Sequence, residues 1–184
     1  MPRPVAPRTA GPKRLLLVGF MGSGKSAVGR RLARRLRWRF FDQDREVERT
    51  AGLSVPQIFR LEGEARFREL EAEVAARLLE HDRAVIATGG GWPCAPGRLE
   101  DVPAGTLSVW LHVSPEVAVA RARASHTVRP LLEVEDPLAR AGSLLEQREP
   151  FYRKARWEVE TDHRAPHAVA RELVDRLRST YGTL

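Results

Sequence analysis

The chain reads as an α/β protein with a mostly parallel sheet covered by helices on both faces. Three observations predict this. Short apolar runs alternate with longer stretches whose apolar residues recur every three or four positions, the pattern of buried strands alternating with amphipathic helices. The first apolar run ends in a glycine-rich loop that opens directly into such a helical stretch. The length, 184 residues, suits one domain large enough to bury its own core.

Residues 1–13 begin MPRPVAPRTAGP and are read as a disordered basic leader, because Pro, Ala and Arg dominate and no apolar periodicity appears. The domain is expected over 14–184. Its first strand falls at residues 15–18 (LLLV), an apolar run fit for burial on both faces. A helix follows from about Lys25, with Val28, Leu32 and Leu36 on one face. Phe40 and Phe41 end a second short strand, and Phe67, Leu70, Val74 and Leu78 mark the buried stripe of a further helix. Residues 85–87 (VIA) form a strand that runs into three glycines, and residues 107–113 (LSVWLHV) form another. Ser114-Pro115 and Asp136-Pro137 each read as a helix N-cap followed by the first helical residue. Residues 158–160 make a last strand, and Pro166 opens a final helix with the stripe Val169, Leu173, Val174 and Leu177. Periodicity leaves the strand order open.

Composition removes several classes. Apolar residues are 42% and charged residues 30%, a globular balance. Cys94 is the only cysteine, so neither an internal disulfide nor a cysteine-rich zinc site can form. No apolar run approaches the roughly 18 residues of a membrane-spanning helix, and the basic N-terminus lacks the apolar core of a signal peptide. The expectation is a cytoplasmic monomer that binds neither membrane nor nucleic acid. The net charge is +7, but Arg3, Arg8, Lys13 and Arg14 put +4 of it in the N-terminal tail. The remaining arginines are mixed with acids, as in Arg68-Glu69 and Glu146-Gln147-Arg148-Glu149, which describes a solvated surface and not a nucleic-acid stripe. His163 and His167 flank Pro166 and read as surface histidines; His112 reads as a packed or edge residue.

The firmest motif is Gly19-Phe20-Met21-Gly22-Ser23-Gly24-Lys25-Ser26, which fits G-x-x-x-x-G-K-S/T between a strand and a helix. Glycines there let backbone N–H groups converge on phosphate oxygens, and the helix N-terminus adds partial positive charge. Lys25 would reach the β- and γ-phosphates, and the Ser26 hydroxyl would ligate magnesium. Only three lysines occur in so arginine-rich a chain, and one of them stands in this loop. A guanine-reading N-K-x-D segment is missing, and the strand at 107–113 does not end in an acid, which argues against a GTPase and against the usual motor or transporter ATPase. The acids at a strand end are Asp42 and Asp44, in FDQD. If strand geometry persists they point the same way, one for magnesium through water and one for a proton or hydroxyl. The other reading is a polar strand exit with Asp44 capping the next helix.

Taken in order, GFMGSGKS, FDQD, GEARFRELE, TGGG, TVRPLL, EQREPFY and a late basic segment with Pro166 resemble the shikimate kinase family over roughly residues 14–178. The resemblance implies a three-layer phosphate-loop fold on a five-stranded sheet with a short lid. It implies transfer of the ATP γ-phosphoryl to the 3-hydroxyl of shikimate in aromatic amino-acid biosynthesis, with magnesium. By the same resemblance Gly22, Ser23, Gly24, Lys25, Ser26 and Ala27 would hold the nucleotide phosphates. Ser26 and Asp42 would serve the metal. Asp44 would hold substrate hydroxyls and could act as base. Arg68 would grip the acceptor carboxylate, with Glu71 beside it, and Arg148 would be the second carboxylate-binding arginine. Gly89, Gly90 and Gly91 would bring backbone close to the acceptor. Arg129 would be the lid arginine over the phosphates. Pro166 and a basic residue at Arg121 or Arg123 would lie near the adenine. Catalysis would fall to Lys25, Asp44 and Arg129.

Trp92 departs from the family pattern, which has a small residue after the glycine triad. It either fills part of the acceptor pocket or packs outward on the sheet edge, tryptophan being usual packing material. The first case would favour another hydroxy acid such as gluconate as acceptor. A non-catalytic ATP-binding regulatory module is the alternative of another class.

Overall fold

The computed structural model describes residues 10–124 and 134–182. Its five strands are β1 (Arg14–Val18), β2 (Arg39–Asp42), β3 (Ala84–Ala87), β4 (Thr106–His112) and β5 (Trp157–Glu160). They form one sheet in the order β2-β3-β1-β4-β5, and every pairing is parallel. The described helices are α1 (Lys25–Leu36), α2 (Gln43–Ala51), α3 (Val55–Leu61), α4 (Gly63–Leu79), α5 (Pro115–Arg123), α6 (Pro137–Tyr152) and α7 (Pro166–Tyr181).

Strand alternation decides which helix covers which face. Leu15 and Leu17 turn to one side with Val85, Val109 and Leu111, where α1 and α7 pack through Val28, Leu32, Val169 and Leu173. Leu16 and Val18 turn to the other with Ile86 and Trp110, under Val47 of α2, Ile58 of α3, Leu70 and Val74 of α4, and Leu144 of α6. β1 is central and buried throughout, as its unbroken apolar run predicts. The expected caps form: Ser114 Oγ accepts from Val117 N, and Asp136 accepts from the N–H groups of Leu138 and Ala139.

α3 is an addition to the sequence reading, and α2 entered that reading only as the helix Asp44 would cap, beginning in fact at Gln43. α2 buries only Gln43 and Val47, too thin a stripe to show as periodicity. α3 carries a capping box, with Ser54 N donating to Gln57 Oε1 at 2.8 Å. The basic tail also ends earlier than its charge suggests. Lys13 N donates to Gly105 O at 2.8 Å. Arg14 is 5% exposed, and its guanidinium bonds Asp82 at 2.7 Å, His81 O at 3.1 Å and Thr106 Oγ1 at 3.1 Å. It is a buried fastener at one end of the sheet.

In an open parallel sheet, ligands bind outside the carboxyl ends of the strands where neighbouring connections diverge. Here that point lies between β1 and β3: β1 is followed by α1 on one face, and β3 runs into Gly89–Gly91 beside the other.

Candidate active site

The phosphate loop leaves β1 at Gly19 and enters α1 at Lys25. Gly22 (φ +77°) and Gly24 (φ +89°) hold left-handed conformations, and a Cβ at Gly22 would lie 2.8 Å from Ala118 O, so a side chain is excluded by strain and by space. No side chain caps α1, which leaves first-turn N–H groups for an anion. Ser23 Oγ is buried and has no partner among the described residues. Lys25 Nζ donates to Gly19 O at 2.8 Å and Phe20 O at 2.9 Å, holding its ammonium inside the loop. Ser26 Oγ donates to Asp42 Oδ2 at 2.5 Å. A hydroxyl and a carboxylate are thus paired at the end of the loop, the hard oxygen donors that suit magnesium.

Asp42 and Asp44 do not share a strand face. The chain turns into α2 at Gln43, so Asp42 ends β2 and Asp44 sits in the first turn of the helix. Asp42 reaches Ser26, while Asp44 Oδ1 lies 2.9 Å from where a Cβ of Gly89 would be. The two carboxylates thus lie apart, one beside the phosphate loop and one beside the glycine triad.

Around the glycine triad the acceptor side assembles from distant elements. A Cβ at Gly91 would fall 2.8 Å from Arg68 Nη1, and one at Gly89 would collide with the Glu71 carboxylate. A side chain at either position would push the Arg68 or Glu71 side chain out of its place. A Cβ at Gly90 would stand 3.6 Å from Arg148 Nη1, from Gly19 O and from Met21 N alike. Arg68 bonds Glu71 at 2.9 Å and Glu64 at 3.0 Å. Burial pulls the Arg68 pKa down, but Glu71 and Glu64 outweigh it and the net direction is up. Glu71 is buried, and its Oε1 has no partner among the described residues. Burial raises its carboxyl, Arg68 lowers it, Asp44 raises it further, and the net direction is up. Arg148, on α6, forms no ion pair among the described residues and lies over the Phe20 ring at 5.9 Å.

Of the two arginines considered for the adenine side, Arg121 reaches the phosphate loop. It donates to Gly22 O at 3.1 Å and Thr161 O at 2.5 Å. Pro166 opens α7 five residues beyond Thr161. Arg129 lies outside the described residues. Trp92 is 4% exposed and belongs to the core. It lines a cleft with Ala72, Ala75 and Leu79 of α4, and Arg98 sits 5.5 Å above its ring. Cys94 is a half-buried loop residue, and His112, the last residue of the interior strand β4, contacts Glu160 of the edge strand β5 at 2.6 Å. Two buried residues went unassigned in the sequence reading, Gln43 and Tyr152, both bonded to the glycine triad.

A phosphate loop facing a cluster of two arginines and a buried carboxylate fits an ATP-dependent kinase of a small acidic acceptor. Comparison with known proteins narrows the class. A shikimate kinase family profile matches residues 21–178. The shikimate kinase of Moorella thermoacetica is 45% identical over 168 residues, 91% of this chain and 96% of that protein. That of Thermus thermophilus is 45% identical over 161 residues, 88% of each. Shikimate kinase from Acinetobacter baumannii in complex with shikimate superposes with a TM-score of 0.85 at 37% identity, covering 94% of this chain and 95% of that one. The chain belongs to the shikimate kinase family. A gluconokinase from Sinorhizobium meliloti, at 18% identity and a TM-score of 0.60, shares the fold.

Proposed function

We propose that this chain transfers the γ-phosphoryl of ATP to the 3-hydroxyl of shikimate, with magnesium, as a cytoplasmic monomer. One observation carries the reading. At Gly90 the acceptor loop, the Arg148 guanidinium and the phosphate-loop backbone all come within 3.6 Å of one point, so a carboxylate-gripping site and a phosphate site share a wall. Phosphoryl transfer depends mainly on such alignment and on charge neutralisation.

Each residue then has a task set by its chemistry. Ser23 Oγ and the first-turn N–H groups of α1 bind phosphate oxygens. Lys25 moves from the loop carbonyls to the β- and γ-phosphates as they arrive. Ser26 and Asp42 would hold magnesium, which supplies charge neutralisation across the phosphates. Arg68 and Arg148 fix the acceptor carboxylate with planar donors that a lysine cannot match, and Glu71 and Glu64 keep Arg68 aimed. Asp44 accepts the proton of the attacking hydroxyl as its oxygen bonds to the γ-phosphorus and ADP leaves. Arg129 would add charge stabilisation from the lid. Arg121 and Pro166 border the base.

No described helix is long and apolar enough to cross a membrane. The core position of Trp92 removes the reason for preferring another acceptor. The test is ADP release coupled to a reporter, with shikimate, gluconate and no acceptor compared in magnesium buffer. Shikimate-dependent turnover is expected. Turnover with gluconate instead, or nucleotide binding with no acceptor-stimulated turnover, would sink the reading.

A further inference from the structure

We propose that Gln43 and Tyr152 are positioning residues for the acceptor: from two different helices they latch the peptides on either side of the Gly89–Gly90 peptide and so hold Gly90 and Gly91 against Arg148 and Arg68. The inference deepens the function proposed above and rests on it.

Three consecutive glycines have no side chains with which to anchor themselves and more backbone freedom than any other residues. Their local bonds are turn bonds: Trp92 N donates to Gly89 O at 3.2 Å, and Cys94 N to Gly91 O at 3.0 Å. Among the described residues, two bonds come from afar. Gln43 Oε1 accepts from Gly89 N at 2.8 Å. Tyr152 Oη donates to Gly90 O at 2.5 Å.

Both latches are built into the machinery they serve. Gln43 lies between Asp42 and Asp44, is 1% exposed, and uses the other end of its amide to donate to Glu71 O at 2.8 Å. One side chain therefore ties the helix of Asp44, the helix of Arg68 and the glycine loop together. Tyr152 is one helical turn after Arg148 on α6 and fully buried. Burial pushes its phenol far up, so it stays a donor at every pH the protein meets. With the loop ordered in advance, acceptor binding does not have to order it.

The experiment compares Tyr152→Phe and Gln43→Met with the unaltered chain by steady-state kinetics and by hydrogen exchange of residues 88–94. Each substitution is expected to raise the shikimate KM about five- to tenfold, to leave kcat and the ATP KM within about twofold, and to speed exchange in the loop. The two variants are independent, so one that fails to fold leaves the other to decide. An unchanged shikimate KM with unchanged exchange overturns the proposal, as does a fall in kcat with both KM values moving together. Should the unaltered chain turn over no shikimate, the substrate reading fails, and exchange alone decides the latch: faster exchange in the variants keeps it, unchanged exchange removes it.

Discussion

Arg68 Nη1 donates to Glu71 Oε2 at 2.9 Å, three residues apart on α4, while its other amino group meets Glu64 one turn back at 3.0 Å. Two carboxylates thus hold a guanidinium that is 36% exposed and faces Gly91. Because Nε also meets Glu64 Oε1 at 3.3 Å, the arrangement spends three of the five donors on orientation and leaves two for an anion. Arg68→Ala is expected to raise the shikimate KM on the order of 10- to 100-fold, the scale of a lost charge-assisted bond pair, with a smaller change in kcat. Arg68→Lys recovers only part of this, because one ammonium cannot face Glu71, Glu64 and a planar carboxylate together. Kinetics with varied shikimate at saturating ATP check both; a full rescue by lysine would refute the fork geometry.

Glu71 gives a prediction about stability and pH. Burial raises its carboxyl in the folded chain more than Arg68 lowers it, so the native state binds that proton more tightly than the unfolded state does. Its contribution to stability is present below the ordinary carboxylate range and is lost as pH rises through the folded pKa. Glu71→Gln has no such proton. Melting temperatures of the two proteins, measured from about pH 4 to pH 7, should shift in favour of Glu71→Gln as pH rises. A shift toward the unaltered chain would mean that the Arg68 pair outweighs desolvation.

The sheet was largely legible in the sequence because each central strand is an apolar run closed by glycine or by a capping dipeptide. The phosphate loop was legible because its spacing is itself the chemistry. α2 was not, since Val47 is its only buried apolar residue. α3 did leave a readable mark in Ser54 and Gln57. The Asp42–Asp44 pair would point one way only if the strand persisted; a helix begins between the two residues, so they diverge. Gln43 and Tyr152 were out of reach for another reason. Each acts on a backbone atom 46 or 62 residues away, and no local pattern encodes such a partner.

On the function proposed above, that divergence gives the two aspartates different tasks. Asp44, beside Gly89, is placed for the acceptor hydroxyl, so Asp44→Asn should lower kcat by about 10²- to 10⁴-fold, the range for losing a general base, with little change in magnesium dependence. Asp42, bonded to Ser26, belongs to the metal end. Asp42→Asn should raise the magnesium concentration needed for half-maximal rate, and Ser26→Ala should do the same. Titrating magnesium into chelator-treated enzyme separates the cases. Equal magnesium dependence for Asp42→Asn and the unaltered chain would remove Asp42 from the metal site.

Cys94 reports on the acceptor loop from behind. Its thiol lies 3.7 Å from Gly90 O. Burial pushes its pKa up, and Arg148 only partly pulls it back. The thiolate is the reactive form, so alkylation by iodoacetamide should be slow near neutral pH and accelerate only as pH climbs beyond the usual thiol range. Shikimate, by engaging Arg148 and closing the triad around Gly90, should slow it further, whereas a neutral analogue lacking the carboxylate should not. Mass spectrometry of the labelled chain at several pH values, with and without each compound, reads both effects. Rapid labelling at neutral pH that ignores shikimate would separate Cys94 from the acceptor loop and leave the carboxylate grip of Arg148 without this support.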